Sequence, residues 1–248
     1  MENIERQIQW ILQEKYNGKL TAAAKKDIER LKKGEPLDHI IGFTDFLGCK
    51  IWVNKHVLIP RVETEFWTEQ AIDELKVIKL SSYKVLDMFA GSGCIGIAVL
   101  KHVKNSHVTF VESEKEAVKQ IKINCKKNGI AKKRYEVVKS DIFENVEGTF
   151  DYIFANPPYI PLTQKKKIQS SVIDYEPHVA LFGDKDGMFF VARFLADAKN
   201  HLTQHGKIYM EFDTKQKPAI NALLKKMKYK KWDFCKDQYG KVRYVVVQ

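Results

Sequence analysis

The chain has 248 residues, 44% of them hydrophobic and 29% charged, and a formal net charge of +11 from 42 Lys and Arg against 31 Asp and Glu. That length suits one large α/β unit with a small appendage. No run approaches the roughly eighteen apolar residues of a spanning helix. The opening MENIERQIQW alternates charge with apolar side chains and lacks the apolar core of a signal peptide, so a cytoplasmic protein with no membrane association is expected. The cysteines (Cys49, Cys94, Cys125, Cys235) show no paired metal-ligand spacing and the histidines no cluster, so free thiols and a metal-free site are expected. The positive surplus favours polyanionic surroundings such as RNA, DNA or the ribosome. Lysines gather in TQKKKIQ (Lys165, Lys166, Lys167) and in LLKKMKYKKW, and the second cluster reads as a solvated helix end running into a strand.

In chain order, Ile4, Ile8, Ile11 and Leu12 recur at helical spacing, and 22–31 predicts a second helix that KKGEP breaks. FLGCKIWVNKHVLI (46–59) has two apolar stretches about Asn54 and predicts a β-hairpin closed by Pro60. The organisation expected is a short helical region over 1–42, a hairpin linker over 43–60 and a main domain over 61–248. From Lys84 onward short strands alternate with helix-length segments: KVLDMFA, HVTFVE, RYEVVKS, FDYIFAN and KIYMEF, with helices from Cys94, up to about Asn128, near 188–201 and near 217–227. This alternation predicts a Rossmann-like α/β fold with a mostly parallel sheet covered on both faces. KKWDFCKD and KVRYVVVQ, joined through Gln238, Tyr239 and Gly240, add an antiparallel hairpin at the sheet edge and bring the strands to seven.

Ligands of such sheets bind beyond the carboxyl ends of the strands. The first strand runs into DMFAGSGCIG, where Gly91 and Gly93 allow a tight turn and close backbone approach. That pair is a weak signal alone, since it also serves plain turn geometry. Glu112 ends the second strand and suits the two hydroxyls of a ribose, or it is an exposed glutamate favoured by a helix N-terminus. After the third, Asp141 suits an adenine amino group with Ile142 packed on the ring, or forms an Asx turn above core residues. Taken in order, these strand ends describe an adenosine site without a triphosphate loop.

The fourth strand stops at Asn156-Pro157-Pro158-Tyr159. Two prolines donate no backbone hydrogen bond and fix φ, so this segment presents carbonyls without ladder partners. An amide or exocyclic amine nitrogen is a poor nucleophile because its lone pair is delocalised. If the Asn156 side-chain oxygen and the Pro157 carbonyl each accept one N–H of an NH₂ group, the nitrogen is aimed at an electrophile, and the Tyr159 ring packs on the planar group. No strong base is needed before a methyl moves. The bland alternative is a strand cap.

These residues resemble the class I S-adenosylmethionine-dependent methyltransferases, and more closely the HemK/PrmC family, the protein-(glutamine-N5) methyltransferases of peptide chain release factors. GEPLDHIIG (34–42), LIPRVETE (58–65), the glycine loop, NPPYIP, DYEPHVALFGDKDG (174–187), MEF with Gln216 beyond it, and KDQYGKVRYVVV carry the resemblance. Asn-Pro-Pro-Tyr alone is shared with adenine-N6 DNA and guanine-N2 rRNA methyltransferases. The resemblance implies that Phe89, Ala90, Gly91, Ser92 and Gly93 line the methionine and ribose part of the cofactor, that Glu112 holds the ribose, and that Asp141, Ile142 and Asn156 complete the site. It implies that Asn156, Pro157, Pro158 and Tyr159 receive the Gly-Gly-Gln glutamine of a release factor, with Asn156, Pro157 and Tyr159 as catalytic groups. Arg61, Glu63 and Thr64 fall on the segment entering the cofactor site, with Arg61 pairing either Glu176 or Glu63. Phe89 stands where the family usually has a glycine, and about forty residues precede the hairpin where members commonly carry a larger helical domain. A monomer is expected, with RNA or ribosome contacts through the basic surface. An enzyme acting on an exocyclic base amine of rRNA or DNA is the alternative.

Overall fold

The computed structural model describes residues 2–78 and 80–248. Three helices come first: α1 (Glu2–Tyr16), α2 (Ala22–Lys32) and α3 (Leu37–Ile41). Thr21 caps α2 by accepting the Ala24 N–H at 3.1 Å. Ile11, Leu31 and Ile40 form a small core, and buried Asp27 gathers Lys15, Tyr16 and Arg30 around its carboxylate. The single turn α3, with Pro36 as its N-cap, was not foreseen beyond the break at KKGEP.

The predicted hairpin exists, but its turn lies elsewhere. β1 (Phe43–Phe46) pairs antiparallel with β2 (Cys49–Trp52) across Leu47 and Gly48, not about Asn54. Both turn residues have positive φ, 47° and 71°, as a two-residue primed turn demands to match the strand twist. Asn54 lies beyond the strands, its Oδ1 accepting the His56 N–H and its Nδ2 donating to Gln120.

A 16-residue helix, α4 (Val62–Val77), then crosses to the main sheet. Its buried face is Thr64, Trp67, Thr68, Ala71, Ile72 and Leu75, a helical stripe in which two threonines dilute the apolar signal. Beyond it come β3 (Tyr83–Met88), α5 (Cys94–His102), β4 (Ser106–Glu112), α6 (Lys115–Lys127), β5 (Tyr135–Lys139) and β6 (Phe150–Ala155). The chain continues with α7 (Ser170–Tyr175), α8 (Phe189–Ala198), β7 (Leu202–Glu211), α9 (Lys217–Lys226), β8 (Trp232–Lys236) and β9 (Val242–Val247).

Among the described residues the main sheet has seven strands in the order β5-β4-β3-β6-β7-β9-β8, parallel except for β9, which runs antiparallel to both of its neighbours. Alternate residues face opposite layers. Val85, Tyr152 and Phe154 pack with α4, α5 and α6, whereas Leu86, Ile153 and Ala155 pack with α8 and α9. After β3 the chain builds outward to β4 and β5 and then returns to place β6 on the other side of β3. That reversal opens a crevice above β3 and β6, which sets the loop after Met88 beside the segment after Ala155.

Candidate active site

At the end of β3 the backbone turns through left-handed residues: φ is 59° at Phe89, 53° at Gly91 and 80° at Gly93. A phenylalanine there carries strain on the order of 1 kcal/mol or more. Its ring meets Phe190 and Phe194 with centroids 6.1 Å from each, an aromatic contact that offsets the strain. Next to this loop Glu112 is held from three sides: its Oε2 accepts the Gly91 N–H at 2.8 Å, and its Oε1 accepts those of Ser113 and Glu114 at 2.8 and 3.0 Å. Burial raises its pKa and these N–H bonds oppose the rise. Ser113 Oγ also donates to Oε1, at 3.4 Å, so the open acceptor direction is on Oε2, which accepts only the Gly91 N–H.

One cleft is lined by Phe89, Gly91, Glu112, Asp141, Ile142, Asn156 and Pro158. Ala90, Ser92 and Gly93, expected to face the ligand, are not among its lining residues. Ala90 donates to the Val111 carbonyl, and the Ser92 carbonyl accepts from Asn124, so these residues hold the loop's shape. Asp141 forms no Asx turn; its two oxygens accept from Arg193 at 3.1 and 3.0 Å. Ile142 adopts φ 53°, which turns it into the cleft wall.

A second cleft is lined by Arg61, Asn156, Pro157, Tyr159, Gln169 and Glu211, and it shares Leu58, Asn156 and Ala180 with the first. The tetrapeptide therefore divides between the two, with Pro158 on one side, Pro157 and Tyr159 on the other, and Asn156 at the junction. Asn156 Nδ2 donates to Thr64 Oγ1 at 3.2 Å, and its Oδ1 accepts from no group among the described residues. No hydrogen bond to the Pro157 carbonyl forms among the described residues. The Tyr159 hydroxyl donates to Glu211 at 2.9 Å, and burial followed by that carboxylate keeps the phenol neutral. Behind the tetrapeptide Gln216 Nε2 donates to the carbonyls of Tyr159 and Gly187 at 2.9 and 3.1 Å.

Arg61 pairs with Glu176 and not with Glu63. Glu176 is buried and also accepts the Ile59 N–H at 3.0 Å, so it clips the chain after α7 to the start of α4. Sequence reasoning missed Glu211, which is 2% exposed and accepts from Thr64, Trp67 and Tyr159 at 2.6, 2.8 and 2.9 Å. A lone carboxylate ending the apolar strand KIYMEF was the signal available.

Comparison with known proteins gives the same reading. The model of the methyltransferase small domain matches residues 68–178. The release factor glutamine methyltransferase of Flavobacterium psychrophilum is 34% identical over 222 residues, covering 88% of this chain and 77% of that protein. That of Lactococcus lactis is 35% identical over 221 residues, covering 89% and 80%. The chain belongs to the release factor glutamine methyltransferase family. This family member also shares its fold with the N-terminal domain of human METTL16, solved in complex with SAH, at a TM-score of 0.57 and 17% identity over 81% of this chain and 75% of that one. The sheet is that of a class I methyltransferase.

The family member carries one further titratable group at this strand end. Asp87 is wholly buried; its Oδ2 accepts the Gly96 N–H at 2.9 Å, and its Oδ1 has no partner among the described residues. Burial pushes its carboxyl up to about 8, Glu112 adds to the rise, and the Gly96 N–H opposes it. An unfolded Asp titrates near ~3.9, so between that pH and about 8 the folded chain binds the extra proton. Its contribution to stability is complete below the unfolded value and is lost as pH rises through the folded one. Asp87→Asn is therefore expected to flatten the fall of the urea midpoint with pH across this window in the ligand-free protein. An unchanged slope would assign the proton to another group.

Proposed function

We propose that the protein transfers a methyl group from S-adenosylmethionine to the side-chain amide nitrogen of the glutamine in the Gly-Gly-Gln motif of peptide chain release factors. The observation that carries this reading is Asn156, which sits where the two clefts meet with its NH₂ tied to Thr64 and its oxygen unpartnered. One cleft then takes the methyl donor and the other the acceptor.

The first cleft fits the donor on several counts. Phe89, Gly91, Glu112, Asp141, Ile142 and Asn156 form a cradle in which Glu112 has an acceptor direction left for a ribose hydroxyl and Ile142 offers an apolar face to adenine. Ala90, Ser92 and Gly93 support the cradle through the backbone. Bound S-adenosylmethionine supplies an electrophilic methyl on a sulfonium.

In the second cleft Asn156 Oδ1 and the Pro157 carbonyl accept the two amide protons of the incoming glutamine. This fixes the nitrogen in line with the methyl and opposes delocalisation of its lone pair. Pro157 and the Tyr159 ring, both on this cleft, confine the planar amide. The N–CH₃ bond forms as the S–CH₃ bond breaks, the sulfur retains the electron pair, and the nitrogen then releases one proton to water. The rest of the interface with the release factor falls to region 1–42 and linker 43–60, whose hairpin strands end at Trp52, ahead of the catalytic domain 61–248, and to Lys165, Lys166 and Lys167, which precede Ile168 and Gln169 of the second cleft. We assign the protein to the cytoplasm, where this substrate is made, and to a monomeric state; no helix among the described residues is long and apolar enough to cross a membrane.

The test is to incubate the protein with methyl-labelled S-adenosylmethionine beside a release factor, a release factor with the Gly-Gly-Gln glutamine replaced, and total RNA. Label on the first alone supports the reading. Label confined to RNA overturns it in favour of an exocyclic base amine. Glu112→Ala is expected to weaken S-adenosylhomocysteine binding roughly tenfold to a hundredfold, because a charge-assisted hydrogen bond contributes about 1.5–3 kcal/mol. Calorimetry checks this, and unchanged affinity in a folded variant would remove Glu112 from the ribose.

A further inference from the structure

The two ends of an asparagine amide have nearly the same shape, so packing alone does not decide which faces a ligand. The chemistry above needs an oxygen at the junction of the clefts; an NH₂ there would oppose the glutamine's own NH₂. Some neighbour must therefore set the orientation of Asn156. This requirement follows from the function proposed above.

We infer that Thr64, oriented by Glu211, is the positioning residue that turns the Asn156 oxygen toward the substrate cleft. The hydrogen bonds close in only one direction. The Trp67 indole N–H can only donate, and it donates to Glu211 Oε2 at 2.8 Å, which marks that oxygen as an acceptor. The Thr64 hydroxyl has one proton and gives it to the same Oε2 at 2.6 Å. Thr64 Oγ1 then offers only lone pairs to its other neighbour, 3.2 Å away, and only the Nδ2 end of Asn156 can satisfy them. Thr64 and Glu211 are each 2% exposed, so water does not compete for this proton order. Thr64 itself is fixed on α4, where its carbonyl accepts the Thr68 hydroxyl at 2.7 Å. The other Glu211 oxygen accepts from Tyr159, so one carboxylate sets both an amide and a ring that face the acceptor. A residue on α4 and one at the end of β7 thereby control a group on the loop after β6.

Thr64→Val keeps the shape and removes the hydroxyl. The NH₂ end then loses its buried partner and turns to the wet cleft. On the release factor, kcat/KM is expected to fall about tenfold or more, while S-adenosylhomocysteine affinity stays within about twofold. Thr64→Ser, which keeps the hydroxyl, restores most of the rate. Glu211→Gln can still present an oxygen to both Trp67 and Thr64, so it is expected to lose less than Thr64→Val. In an Asn156→Ala background Thr64→Val should have no further effect, since both act through one amide.

Equal losses in the Ser and Val variants, additive losses in the double variant, or full activity of Thr64→Val would each overturn the relay. A second readout needs no substrate: in side-chain amide NMR the Asn156 NH₂ protons should exchange slowly in the wild type and faster in Thr64→Val, and identical rates would overturn the relay. A wild-type protein that leaves the release factor unlabelled would refute the proposed reaction, while the exchange rates would still decide the relay on their own.

Discussion

Asn156→Ala is expected to lower turnover on the release factor about a hundredfold to a thousandfold while S-adenosylhomocysteine affinity stays within about threefold. The side chain removed is the acceptor at the junction of the two clefts, where no other side chain among the described residues bonds its oxygen. An acceptor or donor fixed in advance at a reacting group is worth about that factor in other enzymes, because it aligns the group without reorganisation at the moment of reaction. In the proposed reaction the donor is held by the Glu112 side and the loop after β3, which the truncation leaves in place. Single-turnover methylation and calorimetry on the same preparation separate the two effects. Turnover near that of the wild type would refute the amide trap, and a large parallel loss of cofactor affinity would make Asn156 a cofactor ligand first.

Gly187→Ala should destabilise the protein by roughly 3–5 kcal/mol and lower its Tm by roughly 10 °C. A Cβ at Gly187 would lie 2.1 Å from the Tyr159 carbonyl oxygen and 2.8 Å from Gln216 Nε2, and its φ is +77°. Those neighbours are a backbone atom and a buried clamp that is itself bonded to the Tyr159 carbonyl, so relief of the collision requires the Asn-Pro-Pro-Tyr segment to move. Catalysis should fall with stability. Gly148→Ala provides the control: its φ is +84°, and a Cβ there meets nothing within 4 Å, so only the conformational cost of about 1 kcal/mol applies. Thermal unfolding of the two variants separates strain from collision. Equal shifts would mean that contact with Tyr159 is not what Gly187 protects.

The parts of this protein that could be read from the sequence are those whose cause is local. The alternation of strand and helix follows from period and turn chemistry, so the sheet and the strand-end positions of Glu112, Ile142 and Asn156 could be inferred from short windows. The hairpin turn could not, because Leu47 adopts a positive φ that leucine disfavours, while Asn54 offers the residue type that turns prefer. Helix α4 was hidden for a different reason. Thr64 and Thr68 lie on its buried face because their hydroxyls bond Glu211 and the Thr64 carbonyl, and Glu211 is 147 positions away. Asp141 read as a free carboxylate because Arg193, its partner, is 52 positions downstream. Pairings at such separation leave no trace in a window of sequence.

The placement of β9 bears on how the protein comes into being. Synthesis delivers β3, β4, β5, β6 and then α8 before β7, so every lining residue of the half of the crevice assigned to the methyl donor, up to Phe190, is made while the rest of the chain is still being synthesised. The acceptor half follows a different schedule. Glu211 ends β7, and its register partner is Tyr244 on β9, which wedges between β7 and β8 after both have been translated. Until residues 242–247 leave the ribosome, β7 presents an open edge and the carboxylate beneath Asn156 and Tyr159 lacks one wall. On that assignment, vectorial synthesis completes the lining of the donor cleft before the support of the acceptor cleft.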